Sequence, residues 1–149
     1  MNLLRRIIEG KRAMHALFAV YLVILLRLTV LRDNLLPLHL FQGGVMDLFP
    51  LAYYLRWARR SLLWLLLREF AGNIVGFAPL GAFVLWRCPQ SGVKGALLTG
   101  AALSALIETA QYVFGVGRMS TGDVVLNGLG AALGAAIMQR LLCERKEQA

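Results

Sequence analysis

The sequence predicts an all-α, polytopic membrane protein: four transmembrane helices, with an interfacial amphipathic helix between the first and the second. Three observations predict it. Of 149 residues, 58% are hydrophobic and only 16% are charged, whereas a soluble domain averages about 25% charged residues. Mean hydropathy is +0.64, and a soluble domain this small exposes too much surface to be covered by so few polar groups. The apolar residues are also gathered into four stretches, each near the ~17–20 residues a helix needs to cross a bilayer. Together these exclude an ordinary water-soluble enzyme of this length.

The first stretch, 13–31, is interrupted by His15 and Arg27. Arg5, Arg6, Lys11 and Arg12 precede it in the manner of a secretory leader. Its apolar run exceeds the ~7–15 residues of a leader core and no A-x-A-like site follows, so a retained helix is expected. The second, 70–86, is free of charge and is led by the apolar run Leu62–Leu67. It contains Pro79, which cannot donate to the carbonyl of Val75, so a kink or broken turn is expected there. The third, 95–114, has Glu108 as its sole charge, and the fourth, 124–142, has Arg140 near its end. Backbone groups in lipid must be satisfied within the segment, which calls for helices; no stretch alternates at period two as a barrel requires.

One connection, 32–69, is long. Asp47 with Pro50 resembles a helix start. The run that follows sets Tyr53, Tyr54, Arg56, Trp57, Arg59, Arg60 and Trp64 at helix-compatible spacing. A helix over about 48–66 lying in the interface, with its aromatic rings at headgroup level, suits this pattern. Arg56, Arg59 and Arg60 serve either general surface anchoring or a specific anionic-lipid site.

The net charge of +8 would suggest nucleic-acid binding in a soluble chain. Here the basic residues fall between apolar stretches and read as topology signals and headgroup contacts, so membrane lipids and no nucleic acid are the expected partners. Arg5, Arg6, Lys11, Arg12, Arg87, Lys94, Arg140, Arg145 and Lys146, on the side of the termini, outnumber those opposite, such as Arg32 and Arg118. That bias places both termini in the cytoplasm, against the pull of the Arg56–Arg60 cluster. Cys88 and Cys143 form no CxxC, and His15 and His39 lie far apart, so no disulfide, metal or cofactor is expected.

An ionised residue at the centre of a span costs roughly 2.5–3.5 kcal/mol, so polar groups there mark a partner or a cavity. Ala96, Gly100, Ser104 and Glu108 recur every four residues, with Gln111 three further on. One small-residue face of the third helix therefore ends in a carboxylate and an amide. Asp123 and Asn127 open the fourth span above Gly130 and Gly134, Arg118 lies in the short loop before it, and Asn73 lies in the second span. By the predicted topology these groups converge near the outer face. Each has a plainer role. Asp123 fits a capping box with Ser120, Glu108 could pair with Arg118 or Arg27 as interhelical glue, and Asn73 could satisfy backbone freed by Pro79. Gly130-x-x-x-Gly134 could be a packing seam.

Three motifs in order, Asn73-Ile-Val-Gly-Phe-Ala-Pro-Leu-Gly81, Glu108-x-x-Gln111, and Arg118 with Asp123-x-x-x-Asn127-x-x-Gly130-x-x-x-Gly134, resemble the VanZ-like family of small bacterial membrane proteins. The match covers about residues 69–138; earlier residues fit in general character, one helix and then Leu36-Pro37. In the family the loop after the arginine is usually one residue longer and often carries another acidic or hydroxyl residue; here Met119, Ser120, Thr121 and Gly122 alone separate Arg118 from Asp123. The resemblance implies a four-helix protein of the bacterial cell envelope, in a family named for a member linked to resistance to the lipid-tailed glycopeptide teicoplanin. It also implies that the family's polar positions are Asn73, Glu108, Gln111, Arg118, Asp123 and Asn127.

Three functions follow as expectations. In the first, the six residues bind a lipid or lipid-tailed glycopeptide in an outward-facing polar pocket, without catalysis. In the second, Glu108 and Asp123 act as an acid/base pair on a lipid or cell-wall precursor, although no activated nucleophile, nucleotide loop or metal cluster accompanies them. In the third, the chain is a small lipid transporter that self-associates through Gly130 and Gly134.

Overall fold

The computed structural model describes residues 2–30, 45–49 and 63–147. In chain order these form α1 (Asn2–Thr29), β1 (Val45–Asp47), α2 (Leu63–Arg87), α3 (Gly92–Phe114), β2 (Arg118–Ser120) and α4 (Thr121–Glu147), with a 3-10 turn at Pro89–Ser91 between α2 and α3. Among the described residues, four helical stretches are long and apolar enough to cross a bilayer: Gly10–Thr29, Glu69–Arg87, Pro89–Phe114 and Thr121–Glu144.

The helices are sorted by residue size. Along α4, Val125, Leu129, Leu133, Ile137 and Leu141 recur every four residues and stay exposed, while Ala131 and Ala135 on the other side are fully buried. On α4 one stripe of large side chains thus points away from the bundle while these alanines, with Leu126, point into it. The inward face of α4 lies directly on α2. A Cβ at Gly130 would fall on the backbone of Ile74, one at Gly134 on that of Ala78, and one at Gly81 on that of Ala131. On its flank Gly100 of α3 approaches Asn127 and Ala131, so α4 is central to the bundle. The Gly130/Gly134 seam is therefore occupied within the chain and is not the self-association surface its spacing suggested.

The expected small-residue face of α3 is its buried face: Ala96, Gly100, Ser104, Ile107 and Glu108. Helix α1 sits at the edge. Phe18 stacks on Phe83 of α2 with ring centroids 3.7 Å apart, and His15 meets Phe83 and Trp86 edge-on. The His15 Nδ1–H donates to the Lys11 carbonyl at 2.7 Å, which accounts for this polar residue near an apolar span. Further along α1, Leu25 joins Phe77, Leu80 and Ile107 in a buried apolar cluster.

One expectation is corrected in part: helix α2 continues through Pro79, so the helix does not break there, although Pro79 has no N–H to give the Val75 carbonyl. The adjacent Gly76 carbonyl accepts a hydrogen bond from the Tyr21 hydroxyl of α1 at 2.8 Å, a contact supplied by a neighbouring helix and not by Asn73. Asp47 closes β1, which pairs in parallel with β2 in the register Val45↔Arg118, Met46↔Met119, Asp47↔Ser120; the helix start expected with Pro50 lies outside the described residues. Parallel pairing requires a long crossover, here supplied by α2 and α3. This ribbon was not expected, because three-residue strands in connecting segments carry no periodic signal. Residues 50–62, with Tyr53, Tyr54, Arg56, Trp57, Arg59 and Arg60, lie outside the described residues. Trp64 lies in the first turn of α2 and is 78% exposed.

Candidate functional site

At one end of the bundle α1 finishes, α2 begins, α3 finishes and α4 begins. A cavity of about 420 Å³ opens among these four ends. Its lining includes Asn73 of α2, Glu108 and Gln111 of α3, Arg118 of β2, and Asp123 and Asn127 of α4. All six positions singled out in the sequence thus meet in one space. Thr29 of α1, Glu69 of α2 and Gly117 also line it.

Local chain geometry sets this up. Helix α3 ends at Gly115, which adopts the left-handed conformation (φ 64°, ψ 18°). The Gly115 N–H donates to the Tyr112 carbonyl at 3.2 Å and the Val116 N–H to the Gln111 carbonyl at 3.0 Å. That paired pattern is a Schellman ending, which satisfies the terminal carbonyls and reverses the chain. Three residues later Arg118 enters β2, held by β1 beside it. The short loop leaves no slack, so the last strand residue, Ser120, also caps α4: its Oγ accepts the Asp123 N–H at 3.3 Å.

This is half of a capping box. In the complete motif the acidic side chain at the third helical position would accept the N–H of the capping residue. Here the Ser120 N–H donates to Glu108 Oε2 of α3 at 2.7 Å, in a buried setting. Asp123 is turned elsewhere: its Oδ1 accepts from Asn73 Nδ2 of α2 at 3.0 Å. Two carboxylates that could have served local roles instead tie three helices together, with Ser120 as the node between them. Asn73 thereby crosslinks α2 to α4. Glu108 is only 4% exposed and Ser120 3%, and a buried charge-assisted bond of this length is among the stronger side-chain contacts.

Three further bonds shape the cavity. Gln111 Nε2 donates to the Thr29 carbonyl at the end of α1, 3.1 Å away. Below Glu108, Asn127 Nδ2 donates to Ser104 Oγ at 2.8 Å, both residues being buried. Above it Thr121 Oγ1 donates to the Asp47 carbonyl at 3.3 Å, so β1 roofs this corner. Among the described residues no group of three or more His, Cys, Asp or Glu could hold a metal ion. The chemistry on offer is hydrogen bonding and charge: acidic side chains, carboxamides and one guanidinium around a space of small-ligand size.

The chain matches the VanZ/LLP1 family over residues 16–142. It belongs to that family. The match begins inside α1 and ends inside α4, so it takes in the early residues whose likeness in sequence was only general. With four helices long enough to cross a bilayer, this VanZ/LLP1 chain is a multi-pass membrane protein. No curated protein and no solved structure matches it.

Sequence reasoning missed several members of the VanZ/LLP1 cavity. Thr29 participates through its backbone carbonyl, which any residue could provide. Glu69 is the last residue of the long connection 32–69 and carries no pattern of its own. Outside the lining, the place of Asp47, 8% exposed, in β1 was also missed, because β pairing 73 residues away leaves no local trace. The Ser104–Asn127 pair was nearer to hand: Ser104 already stood on the small-residue face, one turn before Glu108.

Proposed function

We propose that this protein is a bacterial inner-membrane protein, both termini cytoplasmic, that binds a lipid or lipid-tailed glycopeptide in this cavity and lowers susceptibility to glycopeptides such as teicoplanin. The observation that carries the reading is the convergence of Asn73, Glu108, Gln111, Arg118, Asp123 and Asn127 on one cavity at one end of the bundle. Arg118 takes a phosphate or carboxylate of the ligand, since a guanidinium matches such oxyanions in a bidentate manner. The carboxylates and carboxamides form the polar wall beneath. A purely structural polar cluster needs no open space, and about 420 Å³ remains here.

Expression in a glycopeptide-susceptible host tests this. The wild-type chain raises the teicoplanin concentration needed to stop growth; Glu108→Gln and Arg118→Ala each abolish the effect while insertion and abundance stay unchanged. Retained activity in both variants would sink the site assignment. A new or missing lipid species on expression turns the reading to catalysis, with Glu108 and Asp123 as the acid/base pair. Orientation is tested with Cys143, which is exposed near the end of α4: a membrane-impermeant thiol reagent leaves it unlabelled in intact cells and labels it after lysis.

A further inference from the structure

The cavity is not polar throughout. Deeper in the bundle its wall passes to Leu25 of α1, Phe77 of α2 and Ile107 of α3. A second space, an apolar cleft of about 220 Å³, opens further along between α1, α2 and Met138 of α4. The two share one seam. On α1, Met14, Leu17 and Tyr21 line the cleft, and Leu25 and Leu28 line the cavity. On α2, Pro79, Ala82 and Trp86 line the cleft, and Gly72 and Gly76 line the cavity. Steps of three and four residues keep each series on one helix face. Tyr21 stands at the join, since its hydroxyl donates to the Gly76 carbonyl at 2.8 Å. The glycines leave the way past it open: a Cβ on Gly72 or Gly76 would meet nothing within 4 Å.

The surroundings decide what fills the cleft. Its side chains are apolar apart from the Tyr21 hydroxyl, already bonded, and the Trp86 indole, so water has too few partners there. An empty cleft forfeits dispersion contacts along its walls. Leu17 at its rim is 66% exposed, so the cleft opens to the bilayer, whose filler is acyl chain. From Gly76 to Trp86 is ten residues, about 15 Å along a helix. That is half of a hydrocarbon core ~30 Å thick, the reach of a chain from one leaflet. Resting on the lipid-binding reading above, we infer that cavity and cleft form one site for a bilayer phospholipid. Its phosphate lies in the polar cavity with Arg118, and one acyl chain runs along the seam, past Gly76 and Tyr21, into the cleft. Head and tail are held together, and the seam between α1 and α2 is where the lipid enters.

The test uses the full chain in phosphatidylglycerol vesicles doped with the same lipid carrying a diazirine in the distal half of one acyl chain. Adducts formed on irradiation are mapped by peptide mass spectrometry, and native mass spectrometry from detergent counts the phosphatidylglycerol retained. Adducts on Met14 and Trp86 are expected at least fivefold above those on Val23 and Leu133, which are exposed and line neither space. Arg118→Ala removes both the excess and the retained lipid. Gly76→Leu obstructs the passage and Leu17→Trp fills the cleft from its exposed rim. Each cuts the excess at least fivefold, and a folding failure of one leaves the other to decide; Val23→Trp leaves the excess unchanged. Retention that depends on Arg118, without an excess at Met14 and Trp86, overturns the joint site and leaves lipid binding standing. An excess that survives Arg118→Ala means that the cleft takes its chain from a lipid headed at the opposite end, and also overturns the joint site. So does an excess that survives both Gly76→Leu and Leu17→Trp. No excess, and no lipid retained above the Arg118→Ala background, overturns both readings.

Discussion

Helices α1 and α4 are almost equally apolar and occupy opposite places in the molecule. The candidate span Gly10–Thr29 has mean hydropathy 1.5 and is 6% buried, whereas Thr121–Glu144 has 1.4 and is 39% buried. Apolarity therefore sends a helix into the bilayer but does not decide whether it becomes core. Lipid tails are as apolar as leucine, so no hydrophobic force pulls one helix against another. What distinguishes α4 is its small and polar residues. Gly130 and Gly134 let its backbone touch α2, and Asp123 and Asn127 bond to α2 and α3. Helix α1 has aromatic rings at one end, Tyr21 midway, and a carbonyl at the other end.

The strongest way to break this contrast is at the glycine seam. In Gly134→Ala the new Cβ would occupy the place of the Ala78 backbone, whereas in Gly72→Ala it would meet nothing within 4 Å. The same added methyl group should then have opposite consequences. Gly134→Ala loses stability at or beyond the top of the roughly 1–3 kcal/mol range typical of overpacking, because backbone cannot rotate aside. Gly72→Ala stays within about 0.5 kcal/mol of wild type or gains slightly from reduced unfolded-state freedom. Unfolding in mixed micelles with increasing dodecyl sulfate measures both. Equal stabilities would show that close backbone contact is not what centres α4.

A smaller effect is expected at Glu108. Replacing it with Leu leaves the buried Ser120 N–H without its acceptor, a loss of about 1–3 kcal/mol. Glu108→Gln keeps an oxygen in place and should lose less than half of that. The same unfolding titration, run beside the susceptibility assay, separates the two roles of this residue. Glu108→Leu fails in both, and Glu108→Gln fails in function alone.

That division bears on what the sequence could disclose. Both the four spans and the inward faces were legible, because cost in a bilayer is local: a glycine every four residues, or a lone Glu108 among apolar neighbours, is visible without knowing what it faces. The same cost argument found the six cavity residues. Pairings were not legible. Ser120 and Asp123 fit a complete capping box, and only the approach of α3 shows that Glu108 takes the reciprocal place while Asp123 turns to Asn73. Likewise the pairing of Asp47 left no trace, since its partner lies across two membrane crossings.

Next in size is the Ser104–Asn127 hydrogen bond. A double-mutant cycle with Ser104→Ala and Asn127→Ala should give a coupling of about 0.6 kcal/mol, the average for side-chain bonds between membrane helices. A value near zero would mean that Asn127 contributes to the cavity and not to the join between α3 and α4. A value above about 1.7 kcal/mol, the top of the measured range, would make this pair a main fastening of the bundle.

The smallest effect is expected on the outward stripe of α4, and it is the sharpest test of the contrast with α1. Leu133, on that stripe, is 50% exposed, and Val23 of α1 is 67% exposed. In a water-soluble core Leu→Ala costs about 2–5 kcal/mol. On a lipid-facing surface the lost methyl groups are replaced by lipid, so Leu133→Ala and Val23→Ala should both remain within about 0.5 kcal/mol of wild type. Central and peripheral helices then become indistinguishable on their outer faces, and all the difference between them lies inward. Were Leu133→Ala to lose more than about 1 kcal/mol while Val23→Ala did not, something other than lipid must cover the outer face of α4. Protein-concentration dependence of that loss would identify the cover as a second copy of the chain.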